Sequence, residues 1–100
     1  MDKRKEEILL TQLVLMFQTA ALQHMGKLKN PITDKLEQDL GQAQISIDML
    51  DMLHTKMKDA LAPEEERMLR GIIQDLKLNY VDEVTKSQQP SPETGGTQAP

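Results

Sequence analysis

The sequence predicts an all-α domain of three helices, and three observations lead to this prediction. Helix-favouring residues dominate the 100-residue chain, and only two aromatic residues occur, Phe17 and Tyr80. Strands are usually rich in β-branched and aromatic residues, so this composition favours helices. Apolar residues also recur at helical spacing in three separate segments. The chain length fits one domain.

Helix 1 is predicted from about Lys5 to Met25, and Gly26 follows it where a left-handed glycine commonly ends a helix. Its core side is expected to be one broad apolar face: Leu9, Leu10, Leu13, Met16, Phe17, Ala20 and Ala21. No Asp, Glu, Lys or Arg occurs from Ile8 to Gly26. Because a surface helix normally has a charged outer side, we expect helix 1 to be covered on more than one side.

Helix 2 is predicted to start at Asp39, which has the spacing of an N-cap and N3 pair with Gln42, as in a capping box. Its apolar stripe recurs in steps of three and four at Leu40, Ala43, Ile47, Leu50, Met57 and Leu61, with His54 in the same stripe. Five more residues widen this face: Ile45, Met49, Met52, Leu53 and Ala60. Since one neighbouring helix cannot bury so wide a face, helix 2 is predicted to be central.

Helix 3 is predicted to begin near Pro63, because proline suits the first helical position. Three glutamates follow and complement the helix dipole. The core stripe is expected at Leu69, Ile72, Ile73, Leu76, Tyr80 and Val84. The short link between helices 2 and 3 predicts an antiparallel hairpin. Residues 26–38 form a loop that is long for a small bundle.

Residues 85–100 are predicted to be a disordered tail, which leaves residues 1–84 as the helical domain. The tail contains no aliphatic residue larger than alanine and three of the five prolines. Such a segment cannot bury enough apolar surface to offset the entropy lost on ordering.

The sequence predicts no enzyme, no metal site and no cofactor. The chain lacks cysteine, which excludes disulfides and thiolate chemistry, and with two histidines and few serines no catalytic arrangement stands out. Gly26-Lys27 is not expected to bind phosphate, because it follows the C-terminal end of a helix, where the dipole repels anions.

A cytoplasmic location without membrane insertion is expected. The uncharged run contains glutamine and threonine, the first seven residues mix both signs of charge, and no cleavage pattern follows.

Three surface features are candidate sites. The first is an apolar interface for a second copy or a partner protein, formed by Ile8, Leu15, Leu22, Ile45, Met49 and Met52. The second is His54, either a pH-sensing or register-setting group in the core or a hydrogen-bonded imidazole at its edge. The third is a small basic patch of Lys27, Lys29 and Lys35.

We therefore expect a self-associating or partner-binding helical module. The alternative is an accessory RNA- or ribosome-associated protein that uses this basic patch together with Arg67, Arg70 and Lys77. The net charge of −4 does not favour nucleic acid as a partner.

Four segments carry a family resemblance: "ALQHMG", "NPIT", "LGQAQISIDMLDMLHTK" and "LAPEEERMLRGIIQDLKLNYV". Their order and spacing resemble the small bacterial DUF1844 family from about Leu13 to Val81. The matching positions are Ala21, Leu22, Gly26, Asn30, Pro31, Thr33, Leu40, Ala43, Ile47, Asp48, Leu50, Leu53, Lys56, Leu61, Glu65, Leu76, Tyr80 and Val81.

The chain departs from this family at three positions. Asp34 stands where the family tends to have glycine, which argues against a tight turn there. Ala62 replaces a threonine that would cap helix 3, and Lys77 replaces an arginine. The resemblance implies an all-helical bacterial cytoplasmic protein and brings no established activity, cofactor or catalytic residue.

Overall fold

The computed structural model describes residues 1–88 as three helices and one short β-hairpin. Helix α1 spans Lys3–Met25, α2 spans Leu40–Met57 and α3 spans Pro63–Gln88. Between α1 and α2, strand β1 (Lys29–Asn30) pairs antiparallel with strand β2 (Lys35–Leu36). The predicted three-helix domain is confirmed, and the long loop contains a two-stranded hairpin that was not predicted.

The predicted ends of α1 and the predicted start of α2 are close to the observed ones, whereas α2 ends at Met57 and not near Leu61. Asp2 caps α1, since its Oδ1 accepts a hydrogen bond from the Lys5 amide at 2.8 Å. Gly26 ends this helix with a φ of 85°, in the left-handed conformation that the sequence predicted. Asp39 caps α2 by accepting a hydrogen bond from the Gln42 amide at 3.1 Å.

Helix α3 begins at Pro63 as predicted but extends further than expected. Residues 85–88 are helical, although they were assigned to the tail. Lys86 lies 3.2 Å from Asp82 at i,i+4 spacing, and Ser87 Oγ donates to the Val84 carbonyl at 2.9 Å. Each residue added to an existing helix gains one backbone hydrogen bond without the cost of nucleation, so polar residues can continue the helix. The rest of the predicted tail lies outside the described residues.

Nine apolar residues form the buried core: Val14, Ala21, Met25, Ala43, Ile47, Leu50, Leu69, Ile73 and Leu76. All three helices contribute to it. The core residues that α2 and α3 contribute all belong to the apolar stripes predicted for these helices.

The predicted core face of α1 is wrong in part. Val14 is fully buried although it was not predicted, whereas Leu9, Leu13 and Met16 are exposed. Apolar residues surround this helix, so their periodicity alone did not select the stripe that faces α2 and α3.

The hairpin contains a tight turn where Asp34 replaces the family glycine. Asp34 adopts a φ of 58°, and its amide donates to the Asn30 carbonyl at 2.7 Å. Asn30 Oδ1 accepts from the Ile32 amide at 2.8 Å, which stabilises the turn from inside. The argument from Asp34 against a tight turn is therefore wrong, because aspartate tolerates this conformation better than most residues.

Ala62 immediately precedes α3, in the N-cap position. Only one of the two hydrogen bonds of a capping box is formed there, the one to the Glu65 side chain. The Ala62 amide donates to Glu65 Oε1 at 2.8 Å, and its carbonyl accepts from the Glu66 amide at 2.9 Å. The alanine side chain has no oxygen that could accept from the first free amides of α3.

We predict that Ala62→Ser raises the free energy of unfolding by about 1 kcal/mol, because serine completes this capping box. Thermal unfolding should shift upward by about 4–8 °C for a domain of this size. The control is Ala60→Ser, two residues before the cap, which should leave the midpoint unchanged. Equal shifts in both variants would contradict the prediction.

We predict that Asp34→Ala lowers the free energy of unfolding by about 1 kcal/mol, since alanine has no polar group to offset the left-handed conformation. Asp34→Gly should be at least as stable as the unmodified chain. Chemical denaturation measures both, with Lys35→Ala in the adjacent strand as control. The prediction is contradicted if Asp34→Ala and Lys35→Ala lower the free energy of unfolding by the same small amount.

Candidate functional site

The described residues expose more large apolar side chains than they bury. Nine apolar residues are buried, whereas fourteen large ones are exposed: Met1, Ile8, Leu9, Leu13, Leu15, Met16, Leu28, Ile32, Leu36, Ile45, Met49, Met52, Leu78 and Val81. Single exposed apolar residues are ordinary, but clusters of them mark interaction sites. Two such clusters lie on α1 and α2.

The first cluster lies on the side of α1 opposite the core, and we call it the outer α1 face. It consists of Ile8, Gln12, Leu15, Met16, Thr19, Ala20 and Gln23. Met16 is 68% exposed and Ile8 is 49% exposed. A shallow groove runs along this face from Gln12 to Gln23. The face has no ionisable side chain, so only its glutamine and threonine groups are polar.

By length and composition, α1 is long and apolar enough to cross a membrane. Only 17% of the residues in its most apolar 18-residue segment are buried inside the fold. Its buried residues are Val14, Ala21 and Met25, and the other residues of α1 are partly or fully exposed.

The second cluster is the α2 stripe, formed by Ile45, Met49 and Met52. These residues recur at i, i+4 and i+7, so they lie along one side of the helix. All three are exposed. They point away from Ala43, Ile47 and Leu50, which are buried in the core.

Five of the six predicted interface residues are thus exposed, and Leu22 is the exception. Leu22 is half-buried and packs against the core. Its spacing of seven from Leu15 suggested a shared seam, but a straight helix drifts by about 20° over seven residues, which turns Leu22 toward the side of Val14 and Ala21. The structure therefore separates Leu22 from the outer α1 face.

The three lysines of the predicted basic patch do not form one surface. Lys27 binds the end of α3, with its Nζ 2.8 Å from Glu83 Oε2. Lys29 pairs across the hairpin with Leu36, and Lys35 pairs with Asn30. Since directly paired residues share a face and neighbouring residues alternate, Lys29 and Lys35 point to opposite faces.

The basic edge of α3 is also partly neutralised. Lys77 lies 3.0 Å from Asp51 on α2, and Arg70 lies 3.7 Å from Glu66. Arg67 is exposed. This edge and the hairpin lysines therefore present scattered cations beside carboxylates.

Glu83 is a structural residue that sequence reasoning missed. It accepts hydrogen bonds from Lys27 and from Gln38 Nε2, at 2.8 Å and 3.1 Å, although these residues lie far away in the sequence. The hydrogen bond from Lys27 is the main cause that lowers the pKa of the Glu83 carboxyl below its ordinary value. No local pattern signals such a long-range contact.

A small polar cavity lies between the end of α1 and the hairpin. It is lined by Gln23, His24, Asn30, Glu37, Gln38 and Asp39. His24 Nδ1 is buried there without a hydrogen-bond partner among the described residues. Within residues 1–88, no three His, Cys, Asp or Glu side chains are placed together so that they could hold a metal ion.

His54 lies at the edge of the core, where α2 contacts the start of α3. Its Nε2 is 2.8 Å from Glu66 Oε2, and both side chains are about three-quarters buried. This hydrogen bond is the main cause that lowers the pKa of Glu66 below its ordinary value of 4.5, with help from the charge of Arg70. Because the carboxylate is then ionised and can only accept, Nε2 carries the hydrogen.

We predict that the His54–Glu66 contact contributes stability above about pH 4.5 and loses it as the pH falls through the lower pKa of the folded state. The difference in free energy of unfolding between the unmodified chain and Glu66→Gln should therefore shrink from about pH 6 to about pH 3. Denaturant titrations at each pH measure it. Glu64→Gln is the control, since it removes a carboxyl from the same helical turn and leaves the contact in place.

A difference for Glu66→Gln that does not change with pH would show that the ionised carboxylate adds nothing to the fold. His54→Gln should reproduce the response of Glu66→Gln, because either variant removes the same contact.

The sequence of this chain matches one protein-family model. The family model described as a domain of unknown function, DUF1844, matches residues 7–82. Searches of curated proteins and of solved structures found no match. The matched region includes most of α1 and α3, all of α2, the hairpin and both apolar clusters. The chain therefore belongs to the DUF1844 family.

Proposed function

We propose that this domain is a non-enzymatic protein-interaction module of the cytoplasm, which binds a second copy or another protein through the outer α1 face and the α2 stripe. The observation that supports the proposal is the excess of exposed over buried large apolar side chains in residues 1–88. Monomeric proteins rarely expose contiguous apolar patches beyond a few hundred Å² unless they bind something.

The energetics favour covering these faces. Each Å² of apolar surface removed from water contributes about 25 cal/mol, so several half-exposed leucine and methionine side chains together provide several kcal/mol. Methionine side chains adapt to partner surfaces of different shape. Met16, Met49 and Met52 are the exposed methionines of the two clusters.

A protein partner suits the outer α1 face better than lipid does. Gln12, Thr19 and Gln23 carry polar groups on this face. Polar groups without hydrogen-bond partners are costly in hydrocarbon, whereas a protein surface can supply partners.

The RNA-associated alternative gains no support from the arrangement of basic residues. Lys27 is held by Glu83, and Lys29 and Lys35 point to opposite faces. A protein that tracks a phosphate backbone needs clustered cations. We therefore do not propose a second function.

We predict that the full chain associates in a concentration-dependent manner between about 1 and about 100 µM, the range of weak protein contacts. Sedimentation velocity and light scattering measure this association. The double variant Leu15→Glu with Met49→Glu should remain folded but lose it, since each substitution places a charge within one apolar cluster.

Thr55→Glu is the matched control, because Thr55 is exposed on α2 outside the stripe. This variant should associate as the unmodified chain does. The proposed function is wrong if the unmodified chain is strictly monomeric at about 100 µM and does not bind a dye that reports exposed apolar surface.

A further inference from the structure

The groove on the outer α1 face has a pattern that fits its own copy. Its six lining residues lie symmetrically about the level between Phe17 and Gln18: Gln12 with Gln23, Leu15 with Ala20, and Met16 with Thr19. We propose that a second copy of this chain docks here, with the two α1 helices packed antiparallel about a two-fold axis at that level. This inference rests on the proposed function and specifies the partner.

An antiparallel pair places large side chains against small ones. About the two-fold axis, Leu15 lies level with Ala20 of the second copy and Met16 lies level with Thr19 of the second copy. Gln12 and Gln23 meet at both ends of the contact. An amide side chain donates and accepts, so the two glutamines can satisfy each other.

A parallel pair fits less well. It would place Met16 against Met16 and Thr19 against Thr19, so large side chains would meet large ones and small ones would leave gaps. Voids between packed helices forfeit dispersion contacts. A two-fold antiparallel contact is also isologous, which closes the assembly at a dimer.

The charges of the chain favour a second copy over a charged partner. No Asp, Glu, Lys or Arg occurs from Ile8 to Gly26, so two outer α1 faces meet without like-charge repulsion. A strongly acidic or basic partner would find no opposite charge on this face. Residues 89–100 contain no aliphatic residue larger than alanine, so they cannot supply an apolar cover.

The size of the contact predicts a weak dimer. The groove from Gln12 to Gln23 extends about 18 Å along the helix. A standard interface buries about 800 Å² on each partner, and one short helix face offers less. We therefore expect a dissociation constant on the order of tens of micromolar.

The absence of cysteine makes disulfide trapping a direct test. Thr19→Cys lies close to the two-fold axis, so oxidation of the full chain should trap a covalent dimer, in a yield that rises with protein concentration. Ile8→Cys is more than two turns from the two-fold axis and should not trap one, because the antiparallel arrangement separates the two copies of residue 8. A mixture of Gln12→Cys and Gln23→Cys should trap a heterodimer.

Met16→Glu provides a second measurement that needs no cysteine. It should weaken dimerisation in sedimentation equilibrium by about tenfold or more. In the Thr19→Cys background it should reduce the trapped dimer accordingly. Thr55→Glu in the same background is the control and should leave the yield unchanged.

Four results would overturn the inference. Efficient trapping by Ile8→Cys would indicate a parallel pair. Trapping by Met49→Cys but not by Thr19→Cys would place the dimer on the α2 stripe, and the proposed function would survive. A monomer that binds phosphatidylcholine vesicles, with binding lost in Met16→Glu, would assign the face to lipid. A strict monomer that binds neither vesicles nor dye would remove the proposed function as well.

Discussion

The last carbonyl groups of α1 have no partners within their own helix, and the way the chain supplies donors to them determines the arrangement of the domain. The Lys27 amide donates to Leu22, and the Asp39 amide donates to His24 at 2.7 Å. Gln38 Nε2 donates to the Met25 carbonyl at 3.0 Å. Because two of these donors lie just before α2, satisfying the end of α1 also places the start of α2.

The same contacts bring α3 to this end of the bundle and explain the length of the loop. Glu83 accepts from Gln38 and from Lys27, so one carboxylate joins the loop to the third helix. Residues 26–38 must leave α1, reverse direction and return to its end, and the short hairpin does this with its own hydrogen bonds. The loop is long because it carries donors back to α1, not only because it connects two helices.

The small size of the core explains why apolar surface remains outside. Each helix can face the other two with only part of its circumference, and a domain of this size has a large surface relative to its volume. Helix α1 carries no charged side chain after Glu7 and has apolar residues on several sides, so burying Val14 and Ala21 leaves Met16 and Leu15 in water. The fold and the proposed association are therefore two consequences of the same sequence pattern, since what one bundle cannot bury a second copy can cover.

The sequence by itself determined the helical class, the helix ends at Asp39, Pro63 and Gly26, and the core stripes of α2 and α3, because these depend on local capping chemistry and on apolar residues confined to one side. Only the tertiary structure decided which side of α1 faces inward, because its uncharged pattern offers several equivalent choices. It also decided that His54 pairs with Glu66 and that Lys27 pairs with Glu83. Such contacts join residues from separate elements, and their energies depend on packing geometry that no local spacing encodes.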